Sequence, residues 1–298
     1  MTIDYGNSAP MTTIAGSSAV LQTDRVLVQH QAVLTLIKDR LEDPNRPSFK
    51  WLDLACGRGQ ILAHLDLVLS QTHREKIEYL GLDIEQQHVR EAERLAAKLL
   101  ANSRFEVCEL HRFEQVLSDG ERFDIVTCTN TVHEISPSQL ADTFVGCVCR
   151  TDPSGSLFLY DMESLPKLEL GAIPWTGKEI EEIIRAILVA AGEYTYSPQA
   201  ATWPHRSCNG WHIGLNRSYL GISDATLLSN RTAMRDKAAK RIEDLLKRKL
   251  LTTHQVLETA AKYGPETESE AAAIQALTYN FWAIARALNA HLILPSAD

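Results

Sequence analysis

Five short apolar runs, separated by stretches of helical periodicity, set the architecture of this chain. They lie at residues 49–54, 77–82, 104–110, 123–129 and 156–160. Helical spacing fills 60–69, 86–100 and the stretch after Ser136-Pro137-Ser138-Gln139, which matches a capping box with proline at the first helical position. Strands alternating with helices of this length pair through right-handed crossovers, which predicts a parallel sheet covered on both faces. A second box, Thr176-Gly177-Lys178-Glu179, opens a helix running to residue 191. The irregular stretch 163–175, with two prolines, follows the fifth strand and is placed to cover a ligand at the sheet's carboxyl edge. Residues 194–215 read as two further strands, with Asn209-Gly210 as the tight turn between them.

Outside this core the pattern changes. Residues 1–23 are rich in Ser, Thr, Gly and Ala and read as a flexible N-terminal tail or a loose lid. A helix is expected within 24–41, broken by the prolines at 44 and 47. Beyond Ser218, helical patterns cover 224–251, 253–262 and 266–292, with capping boxes at Thr252-Thr253-His254-Gln255 and Thr267-Glu268-Ser269-Glu270. Three units are therefore expected: a tail (1–23), an α/β domain (24–218) and an α-helical C-terminal extension (219–298). The net charge of −8 removes the overall positive field that draws polyanions. Cys56, Cys108, Cys128, Cys147, Cys149 and Cys208 are scattered, and Cys147 and Cys149 have no second pair at zinc-finger spacing, so free thiols in a reducing compartment are expected. No secretory signal and no apolar span of membrane length is evident, which makes a soluble cytoplasmic protein the expectation.

The sharpest local signal is Trp51-Leu52-Asp53-Leu54-Ala55-Cys56-Gly57-Arg58-Gly59-Gln60. An apolar strand runs into a glycine turn, and a helix follows. Such a turn lets the backbone approach a ligand, and the helix start favours an anionic group. Asp83 ends the second strand, where an acid can grip ribose hydroxyls. By itself this pattern also suits NAD, but position 62 is Leu where that motif has its third glycine, and Asp53 sits inside the turn motif.

Leu52-Asp53-Leu54-Ala55-Cys56-Gly57-Arg58-Gly59 resembles the first motif of class I S-adenosylmethionine-dependent methyltransferases, with Ala55 where Gly is commoner. Gly81-Leu82-Asp83-Ile84, Phe123-Asp124-Ile125-Val126 and Gly155-Ser156-Leu157-Phe158-Leu159 are similar to that family's second, fourth and fifth strands, and the stretch 194–215 to its closing antiparallel strands. The resemblance covers residues 24–218 and implies a doubly wound, seven-stranded Rossmann-like sheet with S-adenosyl-L-methionine (SAM) as cofactor and S-adenosyl-L-homocysteine (SAH) as product. It implies that Asp53, Ala55, Gly57 and Gly59 line the methionine end, that Asp83 binds the ribose with Ile84 against the adenine, and that Glu109 and Leu110 meet the adenine edge. Thr129 and Asn130 would lie near the transferable methyl. A fold that has lost its ligand is the plain alternative.

Thr129-Asn130-Thr131-Val132-His133-Glu134-Ile135 follows the fourth strand. If that turn is helical, Asn130, His133 and Glu134 share a face. Methyl transfer chiefly asks for alignment and exclusion of water, and a base is needed only where the acceptor must lose a proton. The stretch resembles the His-Asp segment of small-molecule O-methyltransferases, with Glu134 in place of the Asp, which would make His133 a base; the alternative is that His133 only packs or caps the turn. Asp161 and Glu163 could orient an acceptor or join His133 on a metal, but solvated loop acids are the simpler reading, and no metal is assigned. Trp175, Trp203 and Trp211 read as packing rather than a substrate wall, and His205 and His212 as surface groups.

The helical extension carries Arg231, Arg235, Lys237, Lys240, Arg241, Lys247, Arg248 and Lys249. A solvated face with intrahelical ion pairs is favoured over contact with RNA phosphates. Its apolar stripes, Leu245, Leu246, Leu250 and Ile274, Leu277, Phe281, Ile284, Leu288, require burial against the sheet domain, over the cleft or in a homodimer. Three functions follow: a methyltransferase acting on a small-molecule acceptor, one acting on nucleic acid or another polyanion through the 231–249 helix, and a non-catalytic cofactor-binding interaction protein.

Overall fold

A computed structural model describes residues 25–43, 47–165, 169–192, 198–205 and 208–293. The expected N-terminal tail lies outside them. In chain order the elements are α1 (Val28–Leu41), β1 (Phe49–Leu54), α2 (Leu65–Val68), α3 (Gln71–Glu75), β2 (Ile77–Asp83), α4 (Gln86–Leu99), β3 (Asn102–Val107), β4 (Phe123–Thr129), α5 (Pro137–Arg150), β5 (Thr151–Met162), α6 (Gly177–Ala191), β6 (Ala200–His205), β7 (Cys208–Asn216), α7 (Asp224–Ser229), α8 (Arg231–Tyr263) and α9 (Glu268–Ile293). The seven strands form one sheet in the order β3-β2-β1-β4-β5-β7-β6. The first five are parallel, and β7 runs antiparallel to both β5 and β6. This is the doubly wound, seven-stranded Rossmann-like α/β architecture. The order reverses between β1 and β4, and in such sheets ligands bind beyond the carboxyl ends of the strands at that switch.

Alternation along the strands divides the core in two. Leu52 and Leu54 of β1, Leu80 and Leu82 of β2 and Leu157 and Leu159 of β5 point to one face, where α5, α6, α8 and α9 pack. Trp51, Tyr79, Phe158 and Tyr160 point to the other, beneath α1 and α4. Side chains two residues apart share a face of a strand, so each run is apolar on both sides, as a buried parallel sheet demands.

The extension is built into the first of these cores. Met234, Ala238, Ile242, Leu245 and Leu246 of α8 and Ala283, Ile284 and Leu288 of α9 are buried with the sheet's Leu and Ile side chains. Burial of each large side chain contributes roughly 2 kcal/mol. Leu250, Ile274, Leu277 and Phe281 are half-buried.

Several local expectations need correction. The helix placed at 60–69 is a turn, a 3-10 segment (Leu62–His64) and the single turn of α2, because left-handed backbone at Gly57 and Gly59 delays regular helix. The third strand ends at Val107, and a 3-10 segment (Leu110–Val116) follows. Ser136 caps nothing through its side chain, which bonds Ser138 Oγ instead, whereas Thr176 and Glu179 form the full reciprocal box. Asn209-Gly210 lies within β7, and the β6–β7 connection falls at 206–207, outside the described residues. A Cβ at Gly210 would stand 3.0 Å from the Trp203 ring, so this glycine serves close packing, not a turn. Thr252 and Thr253 sit inside the continuous α8. Thr267 does accept the Glu270 N–H, but the Glu270 carboxylate takes the Glu266 N–H.

Candidate active site

The glycine turn after β1 sits at the switch point. Gly57 (φ 55°) and Gly59 (φ 85°) are left-handed, and so is Ala55 (φ 56°), which is why a glycine is commoner at that position. Leu95 of α4 would lie 3.2 Å from a Cβ at Gly59, so the turn is pressed onto that helix. Gly57 N–H donates to Asp83 Oδ2 (2.8 Å), and Glu85 N–H donates to Asp83 Oδ1 (2.9 Å). Asp83 thus ties the turn to the end of β2. Ile84 beside it is exposed, and Cys108 N–H donates to Asp83 O, bringing the stretch holding Glu109 and Leu110 alongside. The Glu109 carboxylate faces Arg112 and His111 at 3.7 and 3.5 Å.

Asp53 faces inward. Its two oxygens accept from Tyr79 Oη (2.7 Å) and Thr127 Oγ1 (2.6 Å), and it is buried. Burial, opposed by those two hydrogen bonds and reinforced by the charge of Asp83, raises its pKa to about 6. A carboxyl raised above its ordinary 3.8 stabilises the fold fully below that value, and the contribution is lost as pH rises through about 6. Asp53→Asn is therefore expected to gain stability relative to wild type as pH rises from 5 to 8, by about 1.4 kcal/mol, the worth of the one pH unit between 5 and the folded-state value of about 6. Urea denaturation at both pH values measures this, and an unchanging difference would reject the buried titration.

The stretch after β4 carries the second cluster. Thr129 is buried, Asn130 is left-handed (φ 55°), and a 3-10 turn (Val132–Glu134) turns His133 into the protein. His133 Nδ1 lies 2.8 Å from both oxygens of Asp161, and its backbone N–H donates to Asp161 Oδ2 (2.9 Å). Its Nε2 lies 3.0 Å from Glu169 Oε2 and 3.7 Å from Glu134 Oε1. Asp161 is thus a buried partner of His133 and not a solvated loop acid. Glu163 points elsewhere and pairs with the backbone and side chain of Asn209.

A carboxylate on each ring nitrogen requires a proton on each. Burial disfavours that charge, but the charge and hydrogen bond of Asp161, the hydrogen bond to Glu169 and the charge of Glu134 outweigh it, so the His133 pKa is held well above 6.5. Glu134 is pushed up to about 7, chiefly by burial; the His133 charge opposes the shift and the charges of Glu169 and Asp161 add to it. The ring expected to act as base therefore has no free lone pair in this arrangement. Donor atoms of His133, Glu134 and Glu169 lie within 4.8 Å of one another, a spread that one cation can span; here the imidazole N–H fills that centre.

Glu169 was not singled out from the sequence. Only its place in the irregular stretch 163–175 pointed to it. Tyr79 and Thr127, the partners of Asp53, read simply as strand residues. Trp175 and Trp211 are core, with Trp211 Nε1 donating to Trp175 O (2.7 Å), and Trp203 stacks on Tyr160. His212 stacks on Phe158, and the His205 side chain lies outside the described residues.

Residues 45–168 match the family model of a methyltransferase domain. Over that stretch the chain is similar to a methyltransferase domain. No curated protein matches the chain. The chain is similar to the solved magnesium protoporphyrin IX methyltransferase of Synechocystis PCC 6803 with bound SAH, at 16% identity and TM-score 0.47, over 71% of this chain and 95% of that one. It is similar to 1,6-didemethyltoxoflavin-N1-methyltransferase of Burkholderia thailandensis at 17% identity and TM-score 0.47, over 71% and 92%. An rRNA methylase of Streptococcus thermophilus aligns at 9% identity and TM-score 0.44, over 64% and 98%. The glycine turn and the His133 cluster both lie beyond the carboxyl ends of central strands.

Proposed function

We propose that the protein is a SAM-dependent methyltransferase acting on a small-molecule acceptor, with SAH as product. The observation that carries this is the glycine turn fastened to Asp83 at the switch point. Asp83 would receive the ribose hydroxyls and Ile84 the adenine, with Glu109 and Leu110 at its border, and Ala55, Gly57 and Gly59 would hold the methionine end. Asp53 supports that turn from below, and Thr129 and Asn130 flank the methyl. We take residues 24–218 as the methyltransferase domain and 219–298 as its extension.

Bound SAM would supply an electrophilic methyl group, and where the acceptor is a hydroxyl a residue of this chain would have to take the proton that the hydroxyl loses. A base works best with a pKa near the working pH. Glu134, raised to about 7, fits that task better than the doubly hydrogen-bonded His133, which with Asp161 holds the charge around it. Calorimetric titration with SAM and with SAH tests the reading. Micromolar binding supports it; no binding of either by folded protein would overturn it in favour of a non-catalytic interaction protein.

A nucleic-acid acceptor is disfavoured by the extension itself. Arg231, Arg235, Lys240, Arg241, Lys247, Arg248 and Lys249 each have a carboxylate within 4.0 Å, several across to Glu114, Glu179 and Glu182. Charges satisfied within the protein are poor bait for phosphates. RNA binding at low salt that charge reversal of this helix abolishes would restore that reading. Leu245, Leu246, Ile284 and Leu288 are buried on the sheet domain, which weakens the case for a homodimer, while Leu250, Ile274, Leu277 and Phe281 remain half-buried. The six cysteines form no disulfide, which suits a reducing cytoplasm, and no helix among the described residues is long and apolar enough to cross a membrane.

A further inference from the structure

We infer that α9 is a positioning element of the methyl-acceptor site: through its hydroxyl, Tyr279 holds the 169–173 loop so that Glu169 closes on His133. The catalytic meaning of this inference rests on the methyltransferase reading; the positioning rests on geometry alone. Tyr279 Oη accepts the Gly171 N–H (2.7 Å) and donates to the Glu169 carbonyl (2.8 Å). One side chain thus bonds two backbone groups of an irregular stretch, whose Glu169 carbonyl also accepts the Ala172 N–H (3.2 Å). Ile173 N–H donates to the His133 carbonyl (2.9 Å), and the Glu169 carboxylate meets His133 Nε2. Polar contacts therefore tie the loop to His133 and to a helix 110 residues away in sequence, and the buried Ala172 and Ile173 seat its far end in the core. Tyr279 is itself anchored, because Ala283, Ile284 and Leu288 bury the following turns of α9 in the sheet's core.

The groups facing His133 come from four elements. Asp161 stands on β5, Glu134 on its own turn and Glu169 on the loop, while α9 brings Tyr279 with the charge of Arg286 beside it. The charge of Asp83, from β2, reaches Glu134. Of these, Glu169 alone is presented by irregular chain, so its distance from the ring depends on whatever holds the loop. A loop freed from Tyr279 would spend time away from His133, and Nε2 would lose an ionic partner.

The test is the ¹⁵N titration of the His133 ring, assigned by comparison with His133→Gln, in wild type, Tyr279→Phe and Glu169→Gln. Glu169→Gln should lower the midpoint by about one pH unit. Tyr279→Phe should lower it less, in the same direction, with SAM affinity within threefold of wild type. Once an acceptor is in hand, Tyr279→Phe should lower kcat about tenfold with the cofactor KM unchanged. A Tyr279→Phe titration superimposable on wild type, while Glu169→Gln moves, would overturn the positioning role. A shift in neither variant would remove Glu169 from the site. Should Tyr279→Phe fail to fold, hydrogen exchange of the wild-type Gly171 amide decides: slow exchange supports the strap and exchange at an open-loop rate refutes it. SAM calorimetry on the same samples reports separately on the methyltransferase reading, since the ring titration does not depend on cofactor.

Discussion

Asp83→Ala is expected to weaken SAM and SAH binding by about a hundredfold, since two hydrogen bonds to a charged group are each worth about 1.5–3 kcal/mol and 1.4 kcal/mol is a factor of ten. Asp83 has two tasks. Its oxygens already accept from Gly57 and Glu85, and the lone pairs that remain are the ones proposed to take the ribose hydroxyls. Alanine removes the ribose anchor and releases the glycine turn, so the methionine end suffers as well. Asp83→Asn, which keeps the shape, should fall between the two. Titration calorimetry gives the ratio directly. Affinity in Asp83→Ala within a few-fold of wild type would place the cofactor elsewhere.

Asp161→Ala is expected to cost about 3–5 kcal/mol of stability, the scale on which breaking one side of a buried charge pair destabilises. The alanine leaves the His133 ring and the backbone N–H groups of His133 and Met162 without their acceptor in a buried place. The pH dependence has a definite sign. A histidine held above its ordinary 6.5 contributes its full stability below that pH, and the contribution is lost as pH rises through the higher folded-state value. The deficit of the variant should therefore be largest below pH 6.5 and shrink in alkali. Urea midpoints at pH 6 and pH 9 check this. A deficit that grew with pH would mean that the ring is neutral in the fold.

The parts of this molecule that could be read from the chain are those whose cause is local. The strands at 49–54 and 123–129 announce themselves because both faces must be apolar, and Gly57 and Gly59 because few other residues accept their backbone angles. The misreadings share a different cause. Asn209-Gly210 looks like a turn, but its glycine answers to the Trp203 ring across the strand pair. Thr252-Thr253 looks like a helix start, but the apolar face of α8 carries through it. The carboxyl cage of His133 was half visible: Glu134 is its neighbour, whereas Asp161 and Glu169 arrive from 28 and 36 residues away. Burial decided the role of Asp161, and burial depends on packing that no spacing rule encodes.

The line drawn at residue 218 marks a change of sequence pattern and does not separate two cores. Since Met234, Ile242, Leu245 and Leu246 lie in the same cluster as Leu157 and Leu159 of the central sheet, α8 cannot leave without opening that cluster to water. Arg217 reinforces the seam, its guanidinium bonded both to the Thr151 carbonyl and to Asp224. Heating should accordingly melt sheet and extension in one cooperative transition, and the C-terminal helices should share the hydrogen-exchange protection of β5.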